Sequence, residues 1–347
     1  MENATANSEK ILREEKAEFH VILLCCIVLL LAVVIVAGNS LVIASVICNR
    51  RLQTKTSAFI TSLAIGDLMI GLIVIPLIVV SNTVGPFVEN GLTYCHVTIS
   101  LTITLMFNSV ANLGAVTFDR FLAVVIPLRY KSVMTKRVIF PIIAFLWIFS
   151  TIFGFIPFMG WRTVIPPKHS SGLFCQVPLN LAQGYIITVC VVALFPSIFV
   201  LAAYIKIFKT ACHHELRIAA AVNSVFRNQN DPKLNIIKET KAAKMVALVL
   251  GTFIFTWAPL FVIMIVDTTL NNTVNSYVYA GGVIFATLNS ALNPLLYASM
   301  NSEFRDTFKM FLTCGKRRAN RVAPAVAEWL LVGIRKAKST AGRILLR

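Results

Sequence analysis

Apolar side chains in this chain come in seven long blocks, separated by short polar stretches. Residues 21–48 carry no charge and 56–88 carry only Asp67, while 90–118, 138–161, 170–205, 245–266 and 268–301 carry none. A bilayer core of about 30 Å needs roughly 20 such residues in a helix. Backbone groups in lipid must pair within the segment, and a barrel would show short alternating strands instead. The pattern predicts an all-α, seven-transmembrane helix bundle with helices near 21–48, 56–81, 92–126, 138–160, 183–209, 242–267 and 275–299. Residues 301–312 read as a further amphipathic helix at the membrane surface, with Phe304, Phe308 and Phe311 on one side. Residues 1–20 form an external N-terminus, 21–314 the membrane domain, and 315–347 a cytoplasmic tail.

Composition sharpens this picture. The chain is 57% apolar and 14% charged, against about 45–50% and 25% in soluble domains. Its net charge of +17 would suit nucleic acid if the basic residues were scattered, but they are not. With the N-terminus outside, 27 of the 32 Lys and Arg fall on the inner side, three, five and eight in successive inner loops and eleven in the tail. Only Lys10, Arg13, Lys16, Arg162 and Lys168 fall outside. The positive-inside rule selects this orientation, and the charge then reports topology rather than nucleic-acid binding. Sequons at Asn3 and Asn271 both fall outside and are candidate glycosylation sites. No cleavable signal peptide is visible, so the first helix is expected to act as its own insertion signal.

Polar side chains inside lipid are costly and mark function. Asn39, Asp67 and Asn293 lie within the predicted helices, and Pro294 opens the backbone ladder beside Asn293. One carboxylate among Asn and Ser groups suits a Na⁺ ion or a proton; the same groups could instead only tie helices together. Asp119-Arg120-Phe121 ends the third span, and Glu239 precedes the sixth on the same side. An Arg and an acid at two inner helix ends could form a pair that a ligand biases across the membrane. A transporter working through Asp67 is the competing reading, weakened by the absence of further membrane acids. No nucleophile–base or phosphate-loop motif occurs, and a non-enzymatic role is expected.

Seven short signatures occur in order, one on each span. They are GNSLV at 38–42, SLAIGD at 62–67, Asp119-Arg120-Phe121 followed by Pro127-Leu128-Arg129-Tyr130, Trp147, Pro196, Phe253 to Pro259, and NPLLY at 293–297. Over about residues 20–314 the chain resembles a rhodopsin-like (class A) G-protein-coupled receptor, nearest in character to the amine and adenosine group. Phe121 after the Arg and Thr256 before Trp257 are mild departures from the usual Tyr and Cys.

The resemblance implies a disulfide between Cys95 and Cys175, both on the outer, oxidising side of the predicted topology. It implies a sodium ion held by Asp67, Ser109, Asn289, Ser290 and Asn293 beneath Trp257, and no other metal or cofactor. It implies that Arg120 pairs with Glu239 at rest, and that Asp119, Arg120, Tyr204, Phe253, Trp257, Pro259, Asn293, Pro294 and Tyr297 rearrange on activation. Arg120 and Leu128 would then meet a heterotrimeric G protein, and arrestin and receptor kinase are implied as further partners. Cys314, closing the amphipathic helix, is a palmitoylation candidate. The setting is the plasma membrane, with the chain crossing the lipid bilayer seven times.

The small extracellular ligand is less constrained. Amine receptors carry an Asp in the third span where this chain has Thr102, and no other acid is expected to line the outer half of the bundle. Visual pigments need a Lys where Thr287 stands, which excludes an opsin. IPLRY at 126–130 and Phe158-Met159-Gly160-Trp161 resemble adenosine receptors, yet Gln176-Val177-Pro178, Met264 and Thr287 replace the nucleoside-binding groups. The pocket by resemblance is Thr102, Ile103, Met106, Thr188, Trp257, Phe261, Met264, Val283 and Thr287, which suits a largely neutral or lipid-like ligand. A receptor active without any ligand is an alternative. The tail mixes apolar and basic residues around Trp329 and is expected to lie on the inner leaflet, to bind an adaptor, or to stay mostly disordered when free.

Overall fold

The computed structural model describes residues 2–84, 91–162, 175, 180–194, 198, 202, 232–270 and 274–313. Within these, only the backbone is described for 2–18, 124–125, 127–128, 131, 232–247, 249–250 and 276. The elements are α1 (Glu2–Cys48), α2 (Lys55–Met69), α3 (Ile75–Thr83), α4 (Gly91–Val125), α5 (Pro127–Val133) and α6 (Lys136–Gly154). They continue with α7 (Gln183–Leu194), α8 (Pro232–Thr269), α9 (Ser276–Met300) and α10 (Ser302–Thr313). Six helical spans among the described residues are long and apolar enough to cross a membrane, and α7 is a shorter apolar helix. The architecture is a seven-transmembrane bundle, in which α2 and α3 together make the second span and α10 is the surface helix.

The largest departures from the sequence expectation are four, one of them the start of α8 at Pro232 rather than near residue 242. α1 begins at Glu2 rather than near residue 21. Its first turns are rich in Glu, Lys, Arg and Ala, which are good helix formers, with Glu9 and Arg13 four apart. α6 stops at Gly154, and a short 3-10 turn, Ile156–Met159, follows before Gly160 at φ 118°. The second span is interrupted by a π turn at Ile70–Val74, where the Ile75 N–H reaches the Ile70 carbonyl. Pro76 offers no N–H to the carbonyl four residues earlier and its ring crowds that position. An extra residue in the turn resolves both, and it rotates the outer half of the span by about 100°.

Polar bonds tie the spans together where lipid gives no hydrophobic drive. Asn39 Nδ2 donates to the carbonyls of Ile35 and Ser290, both at 3.0 Å, joining α1 to α9. Trp147 Nε1 donates to Ser62 Oγ at 3.0 Å, joining α6 to α2. Tyr185 donates its hydroxyl to the Phe153 carbonyl at 2.8 Å, joining α7 to α6. α6 approaches α4 so closely that a Cβ on Gly154 would sit 2.8 Å from the Ser100 carbonyl and from the Thr104 nitrogen. A Cβ on Gly38 would meet Pro294 Cγ at 2.9 Å, so the first span packs directly on the seventh-span proline. At the inner end, Phe304 and Phe308 of α10 are buried against the core, and Tyr297 stacks on Phe304 with centroids 5.7 Å apart. Arg51 holds Glu303 at 3.3 Å, and Asn49 Nδ2 donates to Thr307 at 3.0 Å.

Candidate functional site

The inner ends of α2 and α4 build the first site. Asp119 is fully buried. Its Oδ2 accepts from Thr56 Oγ1 at 2.6 Å and from Arg120 Nη2 at 2.7 Å and Nε at 3.1 Å. Its Oδ1 accepts from the Tyr130 hydroxyl at 2.8 Å. Arg120 Nη2 also donates to Thr56 Oγ1 and, at 3.4 Å, to the Tyr130 hydroxyl. Three donor atoms thus reach Oδ2 and one reaches Oδ1, and hydrogen bonding of this kind is what a buried carboxylate needs to stay charged. Tyr130 lies in α5 outside the membrane. Burial, and then the Asp119 hydrogen bond and charge, push its phenol up to about 12, so it stays a donor at physiological pH. Sequence reasoning named Asp119 and Arg120 as switch residues, quoted Tyr130 only within a signature without a role, and missed Thr56. The signal available was Tyr130 in a short loop, three residues after a proline. Glu239 lies in α8 with its side chain outside the description, as is that of Leu128, and Tyr204 lies outside the described residues altogether.

The middle of the bundle holds the second site. Asp67 is buried, and its two oxygens are divided between neighbouring α9 residues. Ser290 Oγ donates to Oδ1 at 2.7 Å and Asn293 Nδ2 donates to Oδ2 at 2.8 Å. Ser109 Oγ, Asn289 Oδ1 and Asn293 Oδ1 are buried and have no protein partner. Above them, Phe253, Trp257 and Phe261 form a ladder on α8, with ring centroids 5.8 and 6.0 Å apart. The Trp257 Nε1 is buried without a partner. Pro259 lies inside α8 and Pro294 inside α9, while Tyr297 is buried in the core.

The outer half contains a cavity of about 120 Å³. It is lined by Val28 of α1, Ile78 and Asn82 of α3, Thr102 of α4, and Tyr279 and Val283 of α9, among others, and Cys175 caps it. Cys175 is bonded to Cys95, and its backbone N–H donates to Asn82 Oδ1 at 3.0 Å. Of the expected pocket residues, Thr102, Ile103 and Val283 line this space. Met106, Trp257 and Met264 are buried in the core, and Phe261 packs against it. Thr188 and Thr287 donate within their own helices, to Gly184 and Val283. The cavity thus leans toward the first and second spans rather than the fifth and sixth. The aromatic ladder fills the α8 side, and the π turn brings Ile78 and Asn82, four residues apart, onto the cavity face. No acid is among the residues lining the cavity; Asp267, at the end of α8, is buried but does not line it. Asn271 and Cys314 lie outside the described residues, and Asn3 is described by backbone only.

Seven spans, a buried Asp119 held at the inner end of the third by its neighbour Arg120 and by Thr56 of the second, and a disulfide-capped outer cavity describe a seven-helix membrane receptor. Residues 38–297 match the family described as 7 transmembrane receptor (rhodopsin family), and the chain belongs to that family. It is 32% identical over 304 residues to the human (Homo sapiens) 5-hydroxytryptamine receptor 4, covering 82% of this chain and 78% of that one. It is 30% identical over 284 residues to the histamine H2 receptor of Rattus norvegicus, covering 80% and 75%. To the D(5)-like dopamine receptor of Takifugu rubripes it is 30% identical over 318 residues, covering 83% and 66%. The chain is therefore an amine-receptor-like, multi-pass plasma-membrane protein that signals through heterotrimeric G proteins in response to a small molecule.

Proposed function

We propose that the chain binds a small extracellular molecule in the outer cavity and thereby releases Arg120 to a G-protein α-subunit. The Asp119–Arg120–Thr56–Tyr130 cluster carries this reading, because it is a satisfied latch whose guanidinium can serve only one partner set at a time. Binding that favours an open inner end pulls Arg120 from Asp119, and Leu128 on α5 would meet the same subunit. The N-terminus faces outward and the tail inward, which the excess of basic residues on the inner side supports. Arrestin and receptor kinase would use the same inner face. Glycans on Asn3 and Asn271, and a palmitoyl group on Cys314, complete the proposed mature receptor.

Sodium fits the Asp67 site. A hard monovalent ion prefers oxygen ligands, and Ser109, Asn289 and Asn293 offer buried oxygens that no protein donor reaches. Asp67 supplies the charge, and Ser290 stands at hydrogen-bond distance from it. Ion binding there would hold the α9 residues to α2 and favour the resting state.

The test is nucleotide exchange on purified heterotrimeric G proteins, with Arg120→Ala as the control. Exchange that depends on Arg120 is expected. Exchange indifferent to Arg120, or none with any G-protein class, overturns the reading. Exchange without added ligand would identify a constitutively active receptor.

A further inference from the structure

The residues that line the outer cavity carry no charge. Thr102 stands where amine receptors carry an Asp, and it spends its hydroxyl hydrogen on the Thr98 carbonyl at 2.7 Å. Thr98 donates its own to the Tyr94 carbonyl at 2.8 Å and so accepts from Ser81, also at 2.8 Å. Asn82 donates to the Ile78 carbonyl at 2.8 Å and accepts from the Cys175 N–H. The Cys25 thiol on the α1 side is a weak donor at best.

Tyr279 is the exception. It lines the cavity from α9, is only 4% exposed, and its hydroxyl has no partner among the described residues. Other buried side-chain atoms lack partners too, such as Trp257 Nε1 and Thr268 Oγ1. Of all of them, only the Tyr279 hydroxyl belongs to a residue on the cavity wall. A hydroxyl left unpaired in an apolar setting forfeits its hydration without recompense. The wall therefore presents one uncommitted hydroxyl donor in an otherwise apolar or already bonded surface.

We propose that the cavity seats a neutral, oxygen-bearing organic molecule, whose carbonyl, ether or hydroxyl oxygen accepts a hydrogen bond from Tyr279. Its apolar body lies against α1, α3 and α4. The inference rests on the small-molecule receptor reading above and names the ligand class for that site. An ammonium has three N–H donors and no acceptor. Against this wall its charge would stay unpaired, which is costly away from water. Size narrows the class further. A cavity of about 150 Å³ takes benzene, so about 120 Å³ seats a small ring or a short branched chain rather than a lipid tail.

The experiment uses the full-length receptor in lipid nanodiscs and reads the unfolding midpoint. The probes are cyclopentanone and cyclopentylamine at millimolar concentration, which share one ring but differ in charge at neutral pH. The ketone is expected to raise the midpoint and the amine is not. Tyr279→Phe should weaken the ketone by about fivefold. Without ketone the same variant should be at least as stable as the parent, because it loses a hydroxyl that nothing pairs. A hydroxyl with a structural role would instead lower the ligand-free midpoint. Val28→Phe, which fills the cavity from α1, should abolish the ketone effect. A silent ketone, an equally effective amine, a ketone effect that survives Tyr279→Phe or Val28→Phe, or a less stable ligand-free Tyr279→Phe overturns the proposal. Should Tyr279→Phe fail to fold, the proposal is overturned as well. Nucleotide exchange with Arg120→Ala as control is measured on the same preparation. Arg120-dependent exchange without ketone binding fails the ligand class alone, whereas ketone binding without such exchange fails the receptor reading.

Discussion

Tyr130 donates its hydroxyl to Oδ1 of Asp119 at 2.8 Å, while Arg120 occupies Oδ2 of the same carboxylate. A loop residue and the switch arginine therefore share one acid, and the loop sets how firmly that acid is held.

Tyr130→Phe removes the loop's hydrogen bond and leaves the ring in place. We expect a loss of about 1 kcal/mol from the resting state and a rise in ligand-free second-messenger output. An unchanged basal signal at matched surface expression would refute the shared-acid account. The phenol also predicts a pH signature. Its folded value, about 12, lies above the ordinary 10.0. Its contribution is thus complete below pH 10 and lost as pH rises toward 12, with no change across the physiological range.

Asp67→Asn keeps the shape of the central site but removes its charge. Stabilisation of the resting receptor by sodium should disappear, measured as the unfolding midpoint in NaCl against a choline salt. A mutant with the parent's sodium response would rule out the ion site.

Cys95→Ser or Cys175→Ser opens the cap over the cavity and should cost about 2–5 kcal/mol of stability. Surface expression and the unfolding midpoint should fall together in both variants. Normal behaviour of either one would show that the bridge has no role in shaping the cavity.

Gly154→Ala places a Cβ against backbone atoms of α4 that cannot move aside independently. A loss of about 1–3 kcal/mol is expected, read as a lower unfolding temperature in detergent. A neutral result would mean that α6 can shift away from α4 without penalty.

The bundle was legible because lipid imposes one rule on every backbone group, and the charge-poor blocks obey it. Asp67 and Arg120 stood out for the same reason, being polar groups in costly places. Thr56 and Tyr130 did not, since an ordinary Thr and a loop Tyr acquire meaning only when folding brings them to Asp119. Of the expected pocket residues, Thr102, Ile103 and Val283 line the cavity between the first, second, third and seventh spans. Nothing in linear spacing announces that a π turn before Pro76 redirects Ile78 and Asn82. Asp267 drew no attention, because a charge at the end of an apolar run looks like a solvated boundary. Its burial depends on how Val274 folds back over it.

The π turn in the second span has one further implication. It divides the span into an inner part, whose phase is fixed by Asp67 facing Ser290 and Asn293, and an outer part, whose phase is fixed by Asn82 beneath Cys175. The two parts are geared to each other through a single loosely wound turn rather than a rigid shaft. Substitutions in the outer part can therefore retune what the mouth of the receptor recognises, while the ion-binding machinery deeper in the membrane keeps its alignment.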